Sequence, residues 1–476
     1  MVGIVSYGGH IPVLRMERKV IASAWGRGSI VGERSIANND EDCITMAVEA
    51  ATNCLYGRDR ECIDGLFFSS TTSPYLEKMN SALVAGAADL RRDIITTDFS
   101  NSLRSGTAAL KAALDSVKSG STRNLIITAA DSRLAYPRSD QEQIFGDGAA
   151  ALWIGNENLV ATYEGGYAIT NDMMDVWRNP DDRFVKQWEG RFILGEGYAA
   201  HIKEVVKGIM KKYDLRPDEL SKVIFTAPDG RSHNNLVKAL GFDGDTQVQD
   251  PLLANVGNCG AAHPLMMLAA ALEDANPGDL LLLATYADGA DAMLFKATGA
   301  IFEKVNKHSM KSLLESKLMF SSYARFLSYK NVFDAQPGEP FRLIPSATAS
   351  WREANSSIRL HASKCNACGV TTFPVQRICY NCHSKDEFEE IRISDRTGTV
   401  FTFTRDNLAG RSDDPVLIQT VAEIQGNIRF YGLMTDFEPS EVTIGMPVEM
   451  TFRRLYDGAG FHNYFWKLRP IRKEGE

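Results

Sequence analysis

No uninterrupted apolar run in the chain reaches the roughly 18 residues of a membrane-spanning helix, so we expect no membrane span. The start of the chain lacks the charged and apolar regions of a secretory signal, and we therefore expect a cytoplasmic protein. The chain also has no excess of positive charge. The net charge of −8 argues against a protein that binds nucleic acid.

The chain has only eight cysteines, and four of them fall in one short stretch. This distribution argues against a disulfide framework and favours a metal site in a reducing cytosol. The pairs Cys365/Cys368 and Cys379/Cys382 are two CxxC motifs with ten residues between them. Two such pairs place four thiolates in the tetrahedral arrangement of a structural zinc site, which leaves no open position for catalysis. Four reduced cysteines without metal are the alternative.

The chain has no cysteine in its strand–turn–helix segment around Ser102, and this absence bears directly on the type of reaction. Ile94–Thr97 is β-prone, a Ser/Asn/Gly turn follows, and an Ala/Leu-rich helix is predicted over Thr107–Ser119. A strand–turn–helix corner presents one side chain beside helix N-terminal amides, which is how many acyl-transfer enzymes mount a nucleophile. Here the corner offers Ser102, Leu103 and Arg104, and no cysteine.

Strand and helix patterns alternate over residues 1–155 and again over 156–300, which predicts α/β structure with mostly parallel sheets. The two stretches share one order of elements, so we expect an internal duplication. Residues 301–345 break this order. We predict an amphipathic helix over Ser309–Tyr329 and a linker at Gln336–Pro340. Short alternating strands then predict a small antiparallel barrel or sandwich.

Four sequence motifs carry a family resemblance: Ser105–Leu110, Phe145–Ala151, Gly257–Ala262 and Tyr286–Ala290. They resemble the thiolase superfamily, specifically its 3-hydroxy-3-methylglutaryl-CoA synthase and ketoacyl synthase III branch. The resemblance implies a duplicated, five-layered αβαβα fold in two halves, acting on acyl-CoA with CoA as part of the substrate. Residues 346–390 and 391–476 look like the zinc ribbon and OB-fold that accompany many of these enzymes. The family also implies a homodimer and allows a partner thiolase.

The catalytic positions of the family are where this chain departs from the pattern. The nucleophile motif Asn-Ala-Cys-x-Gly-Gly-Thr-Ala becomes Asn101-Ser-Leu-Arg-Ser-Gly-Thr-Ala108, so Leu103 stands at the cysteine position. Thr226 stands in place of the synthases' histidine, and the glutamate loop aligns with 72–74, which contains no acid. Asn258 is retained.

These departures favour a reaction that needs no thiolate. The first hypothesis is aldol or retro-aldol cleavage of a 3-hydroxyacyl-CoA. Asp288 and His263 are its candidate bases, Tyr286 its acid, and Asn258 part of the oxyanion site. Claisen-type acyl transfer and a catalytically silent CoA-binding scaffold for a partner thiolase are the alternatives.

Several of these side chains also have purely structural interpretations. Asp288 could hold a turn, His263 could be satisfied by local polar groups, and Cys259 could be either a packing residue or another nucleophile. Candidate contacts to CoA phosphates are four arginines: Arg104, Arg405, Arg411 and Arg453. Residues 346–476 contain 16 basic and 17 acidic side chains, so the aromatic-rich barrel is not expected to bind nucleic acid.

Overall fold

The structure is a computed structural model that describes residues 1–303, 306–333, 344–411 and 413–472. The predicted linker at Gln336–Pro340 lies outside the described residues. No helix in the described ranges is long and apolar enough to cross a membrane.

The strands of the first 300 residues are β1 (Gly3–His10), β2 (Leu14–Glu17), β3 (Glu33–Ile36), β4 (Gly65–Ser69), β5 (Ile95–Phe99), β6 (Leu125–Ser132), β7 (Asp147–Gly155), β8 (Ala161–Thr170), β9 (Val176–Trp177), β10 (Lys186–Gln187), β11 (Lys222–Phe225), β12 (Leu280–Tyr286) and β13 (Gly289–Ala297). Their helices are α1 (Arg18–Ala24), α2 (Cys43–Cys54), α3 (Asn80–Ala87), α4 (Ser105–Ser119), α5 (Asp140–Ile144), α6 (Gly190–Phe192), α7 (Ala200–Lys212), α8 (Gly230–Leu240) and α9 (His263–Asp274).

Nine of these strands form one sheet in the order β11-β12-β13-β8-β1-β7-β6-β4-β5. The sheet consists of two similar halves that join where β1 pairs with β8. In the first half β1, β7, β6, β4 and β5 are neighbours. In the second half β8, β13, β12 and β11 repeat that order, and Val248 bridges to β11 in the place that β5 holds in the first half. The predicted duplication is therefore visible in the strand order.

Helices cover the two half-sheets on both sides. α2 packs on β1, β6 and β7, and α7 packs on β8, β12 and β13. α4 and α9 contact each other and the strands of the two halves, so they form a central helical layer. Buried residues of α4, α9, β1 and β12 share one apolar core. The arrangement is α/β, and the two halves of the sheet form two layers between three helical layers. Five of the eight strand pairings in this sheet are antiparallel, so the prediction of mostly parallel sheets is wrong. One reason is that β12 and β13 are joined by a tight turn instead of a helix, and strands joined in this way pair antiparallel.

Local sequence accounts for the ends of these elements. Asp42 precedes α2, and its side chain accepts hydrogen bonds from the backbone N–H groups of Ile44 and Thr45. The hydroxyl of Thr45 accepts a hydrogen bond from the backbone N–H of Asp42, which completes a capping box. α4 ends at Gly120, whose φ of 79° is the left-handed conformation that glycine adopts without strain. The helix predicted over Thr107–Ser119 is present as α4, which begins two residues earlier, at Ser105.

The segment 309–329 differs from the single amphipathic helix that we predicted. It is divided into α10 (Met310–Glu315), β14 (Leu318–Met319) and α11 (Tyr323–Tyr329). Strand β14 pairs with β2, and residues of α11 pack into a small core with β2 and α1. Tertiary pairing with β2 therefore overrides the helical periodicity of this segment.

The C-terminal part contains α12 (Ala347–Arg352), α13 (Ala354–Ser357), β15 (His361–Cys365), β16 (Thr371–Thr372), β17 (Phe388–Arg392), β18 (Thr397–Asp406), β19 (Leu417–Ile424), β20 (Ile428–Leu433), β21 (Pro447–Gly458) and β22 (Phe461–Pro470). Strands β16-β15-β17 form one antiparallel sheet, and β20-β19-β18-β21-β22 form another. Met434, just after β20, bridges to Leu468 of β22, so this second sheet is nearly closed. It packs on α2, and Tyr464 and Trp466 are buried there as core residues.

Candidate active site and metal centre

The corner between β5 and α4 has the strand–turn–helix form that the sequence predicted. The hydroxyl of Ser102 accepts a hydrogen bond from the backbone N–H of Arg104 at 3.2 Å, which tightens the turn. The first turn of α4 carries no side-chain cap. Leu103 is half-buried, so an apolar side chain stands at the position where the family resemblance expects a thiol.

Arg104 pairs with a carboxylate of this chain, although we predicted that it contacts CoA. Its guanidinium pairs with Asp291 on β13, and the Nε–Oδ2 distance is 3.0 Å. Thr107 donates a hydrogen bond to the same carboxylate at 2.8 Å, and Arg104 also donates to the backbone carbonyl of Asp288 at 3.1 Å. With these partners Arg104 joins the corner to the second half, which fits a structural role better than a phosphate contact.

Thr226 and Asn258 lie close together in the second half of the chain, because Asn258 contacts Ala227, the residue after Thr226. The hydroxyl of Thr226 is 3.1 Å from the hydroxyl of Thr285, so the two threonines share a hydrogen bond. The side-chain oxygen of Asn258 accepts from the N–H of Gly260 at 2.9 Å, and its amide nitrogen donates weakly to the carbonyl of Ala227 at 3.4 Å. Because that second bond is long, the amide nitrogen can donate to a substrate oxygen instead.

Asp288 lies in the turn between β12 and β13 with a φ of 46°, a left-handed conformation that aspartate tolerates. The residue is exposed. Partial burial of its carboxyl group, and then the nearby charge of Asp172, raise the pKa of Asp288 above its ordinary value. Asp288 therefore holds a turn and also presents a titratable carboxylate beside the corner.

The hydroxyl of Tyr286 is buried near the carboxyl group of Asp175 and has no hydrogen bond of normal geometry to any described residue. Burial is the main cause of a raised pKa for both groups, and the charge of Asp175 raises the pKa of Tyr286 further. The π-helical turn Ile193–Ala199 contacts Tyr286, since the Tyr198 ring lies 5.9 Å from the Tyr286 ring. A Cβ atom on Gly197 would lie 2.4 Å from the Tyr286 hydroxyl, so a larger residue there would displace this hydroxyl. Such π-turns are frequent at functional sites.

Sequence reasoning missed two polar residues of this cluster in addition to Asp175. The Nε2 atom of His201 is 2.8 Å from the side-chain nitrogen of Asn171, and the His201 ring is 5.8 Å from the Tyr286 ring. His201 is buried on α7. The segment that carries Asn171 and Asp175 has no helix or strand periodicity, so no pattern in the sequence points to these two residues.

His263 does not lie at the surface of the site as a candidate base should. Its side chain is 1% exposed, and its Nδ1 atom accepts from the backbone N–H of Cys259 at 3.4 Å. Burial lowers the pKa of His263 to about 4. The structural interpretation therefore fits His263 better than the catalytic one.

No described thiol replaces the missing nucleophile. Cys259 is fully buried, and burial followed by the charge of Asp147 raises the pKa of its thiol. Cys43 is also buried, donates to the carbonyl of Thr72 at 3.2 Å, and has a pKa raised by burial. Because thiolates rather than thiols attack thioesters, neither group is suited to acyl transfer.

The barrel arginines differ in how they are placed. Arg453 is fully buried and pairs with Asp40, Glu41 and Asp436, so its predicted contact with a CoA phosphate does not fit the structure. Arg411 pairs with Asp413 at 2.9 Å. Arg405 is exposed and donates to the side chain of Asn407 at 3.1 Å. Among the residues that the structure describes, it has no ion-pair partner to give up before meeting a phosphate.

The four clustered cysteines lie together with their sulfur atoms within 4.8 Å of one another. The Sγ–Sγ distances are 3.6 Å for Cys365–Cys382 and for Cys368–Cys379. Four sulfurs bound at about 2.3 Å to one tetrahedral zinc ion would be about 3.8 Å apart, so the set fits this metal. The hydroxyl of Ser384 lies 3.1 and 3.2 Å from the Cys365 and Cys382 sulfurs and lowers the pKa of both thiols.

Comparisons with known sequences point to one group of enzymes. Residues 210–296 match the family described as 3-oxoacyl-[acyl-carrier-protein] synthase III C terminal. The hydroxymethylglutaryl-CoA synthase of Methanopyrus kandleri is 32% identical over 339 residues, which is 69% of this chain and 96% of that protein. The enzyme of the same name from Methanosarcina mazei is 32% identical over 342 residues, 69% of this chain and 98% of its own length.

Solved structures show the same fold at lower identity. A hydroxymethylglutaryl-CoA synthase complexed with CoA superposes with a TM-score of 0.63 and 18% identity, over 71% of this chain and 92% of that one. The 3-oxoacyl-[acyl-carrier-protein] synthase III of Aquifex aeolicus gives a TM-score of 0.56 and 20% identity, over 62% of this chain and 100% of that one.

Proposed function

Because the chain belongs to the hydroxymethylglutaryl-CoA synthase family of the thiolase superfamily, we propose that it forms or cleaves a carbon–carbon bond in a CoA thioester. The α/β thiolase-like fold expected from the motifs is confirmed by the solved structures. CoA enters the proposal as part of the substrate, and the CoA complex of one structural relative supports this assignment.

The observation that supports an aldol-type reaction is the side chain at the β5–α4 corner. Leu103 cannot be acylated, and the described thiols of Cys43 and Cys259 are buried with raised pKa values. An aldol or retro-aldol step needs no acyl-enzyme. It needs a base at the 3-hydroxyl, a stabilised enolate and a proton for the second carbon. This geometry favours an aldol-type lyase.

In the proposed cleavage, the Asp288 carboxylate accepts the proton of the substrate 3-hydroxyl. The C2–C3 bond then breaks as a carbonyl forms at C3, and its electron pair becomes the enolate of the thioester. The amide nitrogen of Asn258 donates to the enolate oxygen, and the Tyr286 hydroxyl protonates C2. The protonated Asp175 carboxyl group near Tyr286 returns a proton to it. Asp288 then releases the proton of the 3-hydroxyl to solvent, and Asp175 takes up a proton from solvent, so both groups regain their starting states. The reverse sequence is an aldol addition.

A second candidate is a Claisen-type condensing acyltransferase, and the names of the sequence relatives favour it over the lyase. It requires a covalent acyl carrier, which the described cysteines near the corner do not supply in the conformation seen here. A silent scaffold for a partner thiolase is the third expectation from the sequence, and no specific contact of the structure favours it.

The test is a panel of 3-hydroxyacyl-CoA and 3-ketoacyl-CoA thioesters assayed with the purified chain. Asp288→Asn and Tyr286→Phe should each lower kcat for 3-hydroxyacyl-CoA cleavage by about 100-fold or more, the usual size of an acid–base contribution. Tyr431→Phe is the matched control. This tyrosine lies on the barrel, donates to Gln419 at 2.7 Å and should retain full activity.

Two outcomes would change the assignment. An acyl-enzyme trapped on any cysteine by mass spectrometry would replace the lyase with the condensing acyltransferase. Full activity of Asp288→Asn and Tyr286→Phe would remove these two residues from the mechanism.

We also propose that the four clustered cysteines hold one structural zinc ion. Four thiolate ligands complete a tetrahedral site, so the metal would stabilise the C-terminal fold and take no part in the reaction. The homodimer remains a prediction, as does the assignment of residues 346–390 and 391–476 to a zinc ribbon and an OB-fold.

A further inference from the structure

The loop between β4 and α3, residues 71–79, is held firmly at its start. The buried carboxylate of Asp131 accepts hydrogen bonds from the N–H of Thr71 at 2.7 Å and from the hydroxyls of Ser70, Thr71 and Thr72 at 2.9–3.0 Å. Arg178, three residues beyond Asp175, donates to the carbonyl of Thr71. This start of the loop therefore borders the candidate site.

The middle of the 71–79 loop contacts the barrel. The hydroxyl of Tyr75 accepts a hydrogen bond from the backbone N–H of His462 at 2.9 Å. The Tyr75 ring lies 5.9 Å from the ring of Phe461 and 5.3 Å from the ring of His462. Both partners stand at the start of β22, where the hairpin of β21 and β22 turns. The next residue of the loop, Leu76, is 90% exposed, so Tyr75 is the point at which the loop is attached to the barrel.

The hairpin is itself fixed to the first half of the chain. Tyr464 on β22 donates from its hydroxyl to Asp42 at 2.7 Å, and Arg454 on β21 donates from its backbone to the carbonyl of Asp40 at 2.9 Å. The buried ion pairs of Arg453 lie beside these bonds. The hairpin therefore provides a rigid surface against which the loop can be positioned.

A path of hydrogen bonds connects the loop to Asn258. The same Asp131 carboxylate accepts from the N–H of Ala261 at 2.8 Å. The neighbouring N–H of Gly260 donates to the side-chain oxygen of Asn258 at 2.9 Å. At the far end of the loop, Asp98 on β5 accepts from the N–H groups of Asn80 and Ser81 at 2.8 Å, just before the corner that carries Leu103.

We propose that Tyr75 is a positioning residue through which the C-terminal barrel sets the wall of the acyl-binding site. The barrel hairpin holds Tyr75, Tyr75 holds the 71–79 loop, and the loop and Asp131 together support Asn258. This inference rests on the proposed function, because it assumes that the acyl group binds between this loop and Asn258. The barrel is then a part of the substrate site as well as a folding unit.

The experiment uses the full chain with Tyr75→Phe, which removes only the hydroxyl acceptor, and Phe461→Ala, which removes one ring contact. A neutral hydrogen bond contributes about 0.5–1.5 kcal/mol, so the 71–79 loop should exchange its amide hydrogens roughly 2–10-fold faster in Tyr75→Phe. KM for the acyl-CoA should rise by a similar factor while kcat changes little. Tyr431→Phe serves as the control with unchanged exchange and KM.

Each result decides the proposal. Faster exchange confined to the loop together with a raised KM supports it. Unchanged exchange in both variants overturns the contact, and faster exchange with an unchanged KM overturns the role of the loop in binding. Failure of the proposed function is a separate result, because it appears as a lack of turnover of every CoA thioester by the unmodified chain, whereas hydrogen exchange needs no turnover.

Discussion

Replacing Leu103 by cysteine tests whether the corner lacks only a thiol to carry an acyl group. Leu103 precedes α4, whose first turn has no side-chain cap. The N–H of Ser105 already donates to the carbonyl of Ser102 at 3.0 Å, so the helix dipole is the interaction that favours an anion at position 103. An ordinary cysteine with a pKa near 8.5 is about one-tenth thiolate at pH 7.5. A helix N-terminus stabilises a neighbouring anion by about 0.3–1 kcal/mol, which lowers that pKa by roughly 0.2–0.7 and raises the thiolate fraction at pH 7.5 to about one-seventh to one-third.

The assay is acetylation by acetyl-CoA, followed by mass spectrometry of the peptide that contains position 103. We expect an adduct on Leu103→Cys and none on the unmodified chain, whose nearby thiols Cys43 and Cys259 are buried. Adding Thr226→His should speed the reaction, since Thr226 binds Thr285 and provides no base. Leu103→Ala is the control for the altered packing.

Acetylation of the unmodified chain at Cys259 or Cys43 would refute the reasoning, because it would show that a buried thiol opens to substrate. A Leu103→Cys thiol that reacts no faster than free cysteine, in a variant that folds normally, would refute the argument from the helix N-terminus.

Three further expectations concern the junction, the metal and the assembly. Burial alone would raise the pKa of Asp40 and Glu49, but paired Lys and Arg side chains lower both to about 2. Each carboxylate therefore contributes on the order of 2 kcal/mol to the free energy of unfolding above pH ~4.5, and this contribution is lost as the pH falls towards 2. Glu49→Gln should make the free energy of unfolding depend less on pH between 4.5 and 2 in an acid-unfolding experiment. If the proposed zinc is bound, a chelator or Cys382→Ser should lower the melting temperature of the C-terminal part. Cys62→Ser should leave this temperature unchanged, and calorimetry together with metal analysis would check both results. Ile95 is 48% exposed on β5, an edge strand of the nine-stranded sheet, where a second chain could pair. Ile95→Lys should therefore convert the predicted dimer to a monomer, as measured by light scattering. An unmodified chain that is already monomeric would contradict this prediction.

The two CxxC pairs are a case in which a short sequence pattern is sufficient to predict a site in the structure. Their spacing predicted a four-sulfur cluster, and the structure places all four sulfur atoms together. The corner at Leu103 is similar, because β-propensity, a Ser/Asn/Gly turn and an Ala-rich helix are properties of neighbouring residues. The family resemblance read from the motifs is confirmed by the sequence relatives. In each case the deciding interactions lie close together along the chain, so the sequence is informative by itself.

Long-range contacts decided what the sequence could not. The sequence alone gives no partner for Arg104, but folding brings it into contact with Asp291, which is 187 residues away along the chain. His263 and Arg453 have the right chemistry for catalysis and phosphate binding, yet both are buried. The cost of desolvating a charge, and the partner that offsets it, depend on the whole fold rather than on neighbouring residues. For the same reason the proximity of Tyr286 to Asp175 and the contact of Tyr75 with the barrel became visible only in the tertiary structure.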